Sequence, residues 1–382
     1  MNFNLNSEQQ MLQDSVRRFV IKACNFENRT AQIKAGPSAC ARNWDAFAEN
    51  GWLAAALPDA HGGLGGTVVD NVLIGIELGR GLVNDPFVGL GVLAAQTLAA
   101  CATDAQKEAL LPRLVEGTLR IAPAFSEPDA RGNPARVKTR AVPNASGYAL
   151  HGHKTLVVGG PSADMLLVSA CIDGGGGDPG RVALFLVEAG GAGLAQRALP
   201  LHDGTWAADV LLNGVEVNAV ARIGYGGDCL PAVRHGLAHA IAVQSAELIG
   251  VMEAAIEATS EYLKVRKQFG IQIGSFQSLQ HRMADMAAEM ELARSMLFAL
   301  LAAFEAGDET ALQQAMSACK AFVCRAAKNV CAQAIQLHGG IGMTEEYGIG
   351  HYFKRAVVAD LVLGSGDQHE AACAAALEHA LI

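Results

Sequence analysis

The chain has 382 residues, enough for two or three domains around a large core. Apolar residues make up 51% of it and aromatics 5%, with 42 glycines, which excludes the disordered class and suits tightly packed helices beside a glycine-punctuated section. A formal net charge of −9 argues against nucleic acid or an anionic membrane as partner, so an anionic ligand would need locally placed arginines or helix N-termini. Nine cysteines are scattered and never spaced Cys-x-x-Cys, which predicts reduced thiols in a cytoplasmic protein and no metal site. The opening MNFNLNSEQQMLQDSVRRFV is amphipathic with early acids, unlike a secretory signal or transit peptide. No apolar run reads as long enough to span a bilayer.

Residues 1–119 read as a helical domain. Ser7 followed by Gln10, and Thr103 followed by Gln106, fit the capping-box pattern ahead of periodic apolar runs. Between them, NVLIGIELGRGL and FVGLGVLAAQTL are apolar almost all round, as buried helices are. The glycines of HGGLGGT at 61–67 follow helical sequence and lack the spacing and acidic partner of a dinucleotide loop, so they predict a plain turn.

Residues 120–224 change character. ARVKTRAV, GYALHGHKTLVV, DMLLVSACI and RVALFLVEA are short and rich in β-branched residues, and turn clusters such as PNASG and DGGGGDPG separate them. The expectation is an antiparallel β-domain, with DGGGGDPG as a mobile hairpin connection. From 225 to 382 three long helical patterns follow, beginning at LPAVRHGL, SLQHRMAD and ETALQQAM, and they predict a four-helix-type bundle. The fold class is therefore α+β: an N-terminal helical domain, a middle antiparallel β-domain and a C-terminal bundle.

Two segments carry chemistry. In YLKVRKQFGIQIGSFQSLQHRMADM, Arg266 lies near a turn through Gly270 and Gly274, with Gln277 opening the next helix. A guanidinium fork beside amide donors suits a diphosphate, although a lone arginine is more often a solvated surface charge. In Gln336-x-x-Gly339-Gly340 the missing side chains admit a ligand against the backbone.

On Arg266, Phe269, Gly270, Phe276 and Gln277, together with Gln336, Gly339, Gly340 and Gly342, the chain resembles the acyl-CoA dehydrogenase family over essentially its full length. The resemblance implies FAD as cofactor, acyl-CoA as substrate, an electron-transferring flavoprotein as acceptor and a dimer or tetramer. It implies that Arg266, Phe269, Gln277, Gln336 and Gly340, next to Gly339, grip the adenine–diphosphate end of a flavin seated in the neighbouring subunit. On the ring side the family's Thr-Glu-Pro is matched by Ser126-Glu127-Pro128, with the Ser126 hydroxyl able to bond the flavin's pyrimidine edge.

Other ring-side positions depart from the family. Where it has a Trp and a Thr after G-x-K, this chain has Leu156 and Val158, and Gly132 replaces a common serine. The C-terminal Glu-Gly-Thr-x-Gln becomes Gly364-Ser365-Gly366-Asp367-Gln368, keeping only Gln368. The glutamate that removes the substrate's α-proton is the residue missing at 364. Its alternative position in some family members is Ala240 here, Glu247 reads as a helix-face salt bridge, and Asp367 stands three residues too far along. His369, Glu345 and Glu346 read as cap and surface residues.

Kept residues serve a neighbour's FAD and lost ones serve the chain's own. This asymmetry predicts a non-catalytic small subunit of a heteromeric acyl-CoA dehydrogenase, of the pimeloyl-CoA type, paired with a catalytic large subunit. The alternatives are a self-sufficient enzyme with a displaced carboxylate, and a non-enzymatic acyl-CoA-binding or scaffold protein.

Overall fold

The structure, a computed structural model, describes residues 5–130, 132–172 and 181–380. The expected hairpin connection at 173–180 lies outside the described residues. The N-terminal part is helical: α1 Ser7–Ala23, α2 Phe26–Lys34, α3 Trp44–Glu49, α4 Val68–Arg80, α5 Ala95–Cys101 and α6 Asp104–Val115, with a π-helical stretch Phe87–Ala94 leading into α5. Among the described residues seven strands follow: β1 Ile121–Ala124, β2 Arg140–Pro143, β3 Gly147–Val158, β4 Met165–Ile172, β5 Ala183–Glu188, β6 Leu194–Pro200 and β7 Trp206–Asn218. The rest is α7 Leu230–Val265, a small hairpin of β8 Lys267–Gln268 and β9 Ile271–Gln272, then α8 Gln277–Ala306, α9 Glu309–His338, α10 Ile349–Leu361 and α11 Gly366–Ala380. A helical N-terminal part, a middle sheet and a C-terminal helical bundle thus follow one another as the composition zones predict.

The capping boxes form where a short polar side chain can reach the third helical amide. Thr103 and Gln106 pair as expected. At α1 the box closes one residue earlier than Ser7 and Gln10: Gln9 N donates to Asn6 Oδ1 at 2.8 Å, and Asn6 N donates to Gln9 Oε1 at 3.2 Å. Asn is as good a cap as Ser and carries its own N3 glutamine, so it takes the role.

By contacts the chain divides into two units. One comprises 1–30, 72–83 and 241–382; the other comprises 31–71 and 84–240. In the first, α9 packs against α8, α10 and α11. Its charges are organised across helices: Arg80 reaches Glu253 at 2.6 Å and Glu257 at 2.7 Å, Arg294 also binds Glu253, and Arg17 holds the buried Glu77 at 2.7 Å. Contrary to the expectation that no run is long enough, α7 has the length and hydropathy to cross a membrane, but 78% of its most apolar window is buried in the folded chain, as in a core helix.

In the second unit the strands form one sheet in the order β1-β4-β2-β3-β7-β6, with β5 on the far side of β4. The sheet is antiparallel as expected except at β4, which runs parallel to β1 and β2. Only tight hairpins force antiparallel pairing, and 40 residues lie between the end of β1 and the start of β4, so nothing dictates their sense. A bulge between Lys154 and Val157 interrupts β3 against β7 and sets Leu156 at φ +50°.

Candidate functional site

At the end of α7 the chain makes a two-residue turn with Phe269 at φ +54° and Gly270 at φ +83°. Two successive left-handed residues are the signature of the hairpin turn that matches strand twist. That explains β8 and β9, where the sequence had suggested only a bend. Phe269 pays for this conformation without glycine's freedom, and its ring is 89% exposed, resting edge-on against Phe276 at 6.2 Å. Arg266 is exposed beside it.

Directly after the hairpin, α8 starts at Gln277 with Phe276 as its N-cap, no side-chain cap and no acid in its first turn. The amides of Leu279 and Gln280 turn back onto Phe276 O at 3.0 and 3.2 Å, while those of Gln277 and Ser278 have no capping side chain and no acid stands in the first turn, the electrostatic condition for holding an anion.

The second signature lies at the end of α9. Gln336, Gly339 and Gly340 are exposed, and a Cβ built on either glycine would meet nothing within 4 Å. What joins the two signatures is an aromatic stack that the sequence reading did not single out. Tyr262 on α7 lies on His338 of α9 with ring centroids 4.4 Å apart and planes 28° off parallel, and Tyr347 closes on His338 at 5.1 Å. His338 donates from Nδ1 to Ala334 O at 2.8 Å, and burial holds its pKa below the ordinary value. Arg266, Phe269, Gln277, Gln336, Gly339 and Gly340 thus belong to two segments fastened at their bases. An exposed guanidinium, an uncapped helix start and bare glycine backbone fit the adenine–diphosphate end of FAD.

The third place is the turn after α10. Leu363 at φ +65° and Gly364 at φ +91° are both left-handed. A Cβ at Gly364 would stand 2.8 Å from His369 Nε2 and 3.3 Å from its Cδ2. That ring is not free to swing away, because Nε2 bonds Leu363 O at 3.0 Å and Nδ1 bonds Ser317 Oγ at 3.2 Å. Burial keeps His369 below its ordinary pKa, consistent with a neutral ring donating to the carbonyl. His369 thus braces the turn from a half-buried position.

Lys320, almost wholly buried, completes the brace. Its ammonium donates to Ala359 O at 2.6 Å, to Val362 O at 2.8 Å and to Gln244 Oε1. It stands in an apolar stripe of α9 with Met316, Cys319, Val323 and Ala327, and a lysine at such a place is the signal that could have revealed it. Gln368 is occupied locally: its Oε1 accepts from Ser365 N at 2.8 Å while Ser365 Oγ accepts from Gln368 N at 3.3 Å, a capping box for α11.

The three acids weighed as a displaced base are each placed elsewhere. Glu247 is buried in an ion pair with Arg355, whose other arm donates to Val83 O at 2.9 Å. Asp367 is exposed in the first turn of α11, and Glu345 pairs with Lys354 at 2.7 Å.

In the second unit, Ser126 is half-buried and its carbonyl accepts from Thr155 N at 3.0 Å, which binds the loop after β1 to the bulged part of β3 beside Leu156 and Val158. Underneath lies a buried ion pair. Lys154, 0% exposed, donates to Glu127 Oε1 at 2.7 Å and Ser169 Oγ at 2.9 Å. Glu127 also accepts from Thr139 N, Thr139 Oγ1 and Lys138 N. The pair was legible in principle, since Lys154 shares the buried face of β3 with Leu150.

Burial works against the Glu127 carboxylate, yet Lys154 and these hydrogen bonds hold it below the ordinary range. Burial pulls Lys154 down to about 8 against the pull of Glu127. Between that value and the ordinary lysine value near ~10.4, the unfolded chain binds a proton that the folded chain does not. This group therefore makes stability rise with pH across that window. The difference between the urea midpoints of wild type and Lys154→Met should accordingly widen from pH 8 to pH 10. A constant difference would show that Lys154 keeps its ordinary value.

The C-terminal acyl-CoA dehydrogenase family domain matches residues 228–377, and the N-terminal domain of the same family matches residues 6–118. An L-prolyl-[peptidyl-carrier protein] dehydrogenase of Pseudomonas fluorescens is 30% identical over 348 residues, 86% of this chain and 88% of that protein. Among solved structures, the ChsE4–ChsE5 complex from Mycobacterium tuberculosis superposes with a TM-score of 0.88 at 27% identity, covering 99% of both chains. PigA with FAD and proline superposes with a TM-score of 0.90 at 26% identity, again covering 99% of each. The chain belongs to the acyl-CoA dehydrogenase family, whose members are generally FAD-dependent oxidoreductases.

Proposed function

We propose that this chain is the non-catalytic small subunit of a two-component acyl-CoA dehydrogenase, most like the pimeloyl-CoA type, with FAD shared at the interface with a catalytic large subunit. Its three composition zones, 1–119, 120–224 and 225–382, are taken as the family's three domains. The observation that carries the reading is the 363–364 turn. The place of the family's base holds a left-handed glycine whose missing side chain would run into a pinned imidazole, while the other end keeps an open cradle for a diphosphate. That a solved relative is a complex of two differently named chains supports the pairing.

When bound, FAD supplies the hydride acceptor for the β-carbon of an acyl-CoA thioester. This chain's part is to hold and orient: Arg266 and the α8 N-terminus take the diphosphate, and Gly339 and Gly340 let it approach the backbone. The α-proton goes to a carboxylate of the partner subunit. Electrons leave to an electron-transferring flavoprotein.

The purified chain alone should carry little flavin and form no enoyl-CoA, whereas co-expression with a glutamate-bearing acyl-CoA dehydrogenase subunit should give a yellow, active complex. In that complex Arg266→Ala should weaken FAD retention by ~10–100-fold, the worth of a charge-assisted hydrogen bond of about 1.5–3 kcal/mol. Full turnover by the homo-oligomer would overturn the proposal. Loss of activity on Asp367→Asn with FAD still bound would favour the self-sufficient reading instead.

A further inference from the structure

His351, in the first turn of α10, is buried, and both nitrogens of its ring are committed. Arg29 of α2 brings Nη1 to 2.9 Å from Nδ1, and Nε2 lies 3.1 Å from Glu345 O. A guanidinium only donates and keeps its proton, so Nδ1 must be the bare, accepting nitrogen and Nε2 must carry the hydrogen. The ring is neutral by geometry, in one tautomer. Phe26, three residues before Arg29 on α2, meets it edge-on with ring centroids 5.4 Å apart.

The partners on either side are themselves fixed. Arg29 is buried, and its Nε donates at 3.1 Å to the carbonyl of Leu82, a left-handed residue (φ +49°) in the turn after α4. Glu345 stands between the turn Gly339–Met343, which carries Gly339 and Gly340, and the start of α10 at Ile349. Two residues on, Tyr347 closes on His338. The Arg29–His351–Glu345 chain of bonds therefore ties the glycine-bearing segment to α2 and to the turn after α4. A proton on Nδ1 would turn an acceptor into a donor facing a donor, and would set two cations together in a buried place.

We propose that His351 is an acid-sensitive latch: once protonated, its ring leaves Arg29 and the segment from Gly339 to Gly348 opens away from α2. The surroundings agree. Burial holds His351 below its ordinary pKa, and the charges of Arg29 on α2 and Lys354 on α10 add to it, while the carbonyl and carboxylate of Glu345 pull the other way. That carboxylate is diverted, lying 3.7 Å from Nε2 but 2.7 Å from Lys354. The N-terminus of α10 adds further positive potential. An open segment takes up a proton that the closed one refuses, so the closed form loses ground as pH falls below the ordinary histidine value of ~6.5, by up to ~10-fold per pH unit for one proton. Faster loss of FAD at acid pH is a consequence that rests on the proposed function; the latch itself is tested without flavin, so the two can fail separately.

The test uses the full chain. Amide exchange is followed at pH ~7.5 and pH ~5.5, on either side of the ordinary histidine value, and corrected for the intrinsic pH dependence of exchange. Peptides covering residues 339–352 should open several-fold more at the lower pH, while those of α8 keep their protection. His351→Gln, whose amide can accept from Arg29 and donate to Glu345 O without titrating, should abolish that acid dependence. If the variant does not fold, nitrogen NMR of the wild-type ring decides: a single Nε2–H tautomer at the higher pH, titrating in step with the opening. Equal exchange at both pH values, the same acid effect in His351→Gln, or a ring already protonated at the higher pH would overturn the proposal.

Discussion

Lys154→Met lowers the stability of the chain by about 3–5 kcal/mol, because it strands a buried carboxylate without its counter-charge. Glu127 keeps the amides of Lys138 and Thr139, but those bonds evolved around a carboxylate already compensated by Lys154. The charged form must then be tolerated in a poorly solvated place or neutralised by taking up a proton. Lys154→Met/Glu127→Gln should recover more than ~1 kcal/mol of the loss, since a neutral amide oxygen still accepts from Thr139 without a charge to compensate. Urea unfolding followed through the sheet signal measures both. A single variant within ~1 kcal/mol of wild type would show that the pair is not desolvated.

The second large effect is expected from Lys320→Met, at about 3 kcal/mol or more. The side chains are similar in length and the helix propensities are close, so the loss comes from the acceptors left behind. Ala359 O, Val362 O and Gln244 Oε1 each cost ~1–3 kcal/mol when buried without a donor. Relief of one buried ammonium offsets part of that sum. The loss should be local in its dynamics as well: amides of residues 359–365 should exchange faster in the variant, while those of α8 stay protected. Unchanged exchange across that turn would show that His369 alone holds it.

The general architecture was legible because it rests on periodicity. Long apolar patterns without proline after their first turn gave α7, α8 and α9, and GYALHGHKTLVV is β3 residue for residue. What the pattern did not reveal has physical reasons. Pro123 hides β1, which nonetheless pairs through its register with Leu167 of β4. Gly214 at φ +70° bulges β7 and breaks its alternation. The β8–β9 hairpin consists of two-residue strands, too short to carry any period.

Of the candidate site, the motifs point to the exposed signature residues but not to the groups that steady their segments. Glu127, Lys154 and Lys320 are buried and His369 half-buried, and a sequence shows such a residue without showing its partner. Gln368 illustrates the converse. It reads as a surviving cofactor ligand, yet its amide is engaged with Ser365 at the start of α11.

The arrangement at Gly364 also bears on how this chain could change. A lone codon change to glutamate there would set a side chain against His369 on a backbone that only glycine adopts comfortably. On the proposed reading, restoring a base at 364 therefore needs at least two coordinated substitutions and a reshaped loop. If the chain works with a companion as proposed, this turn makes that dependence behave as a ratchet.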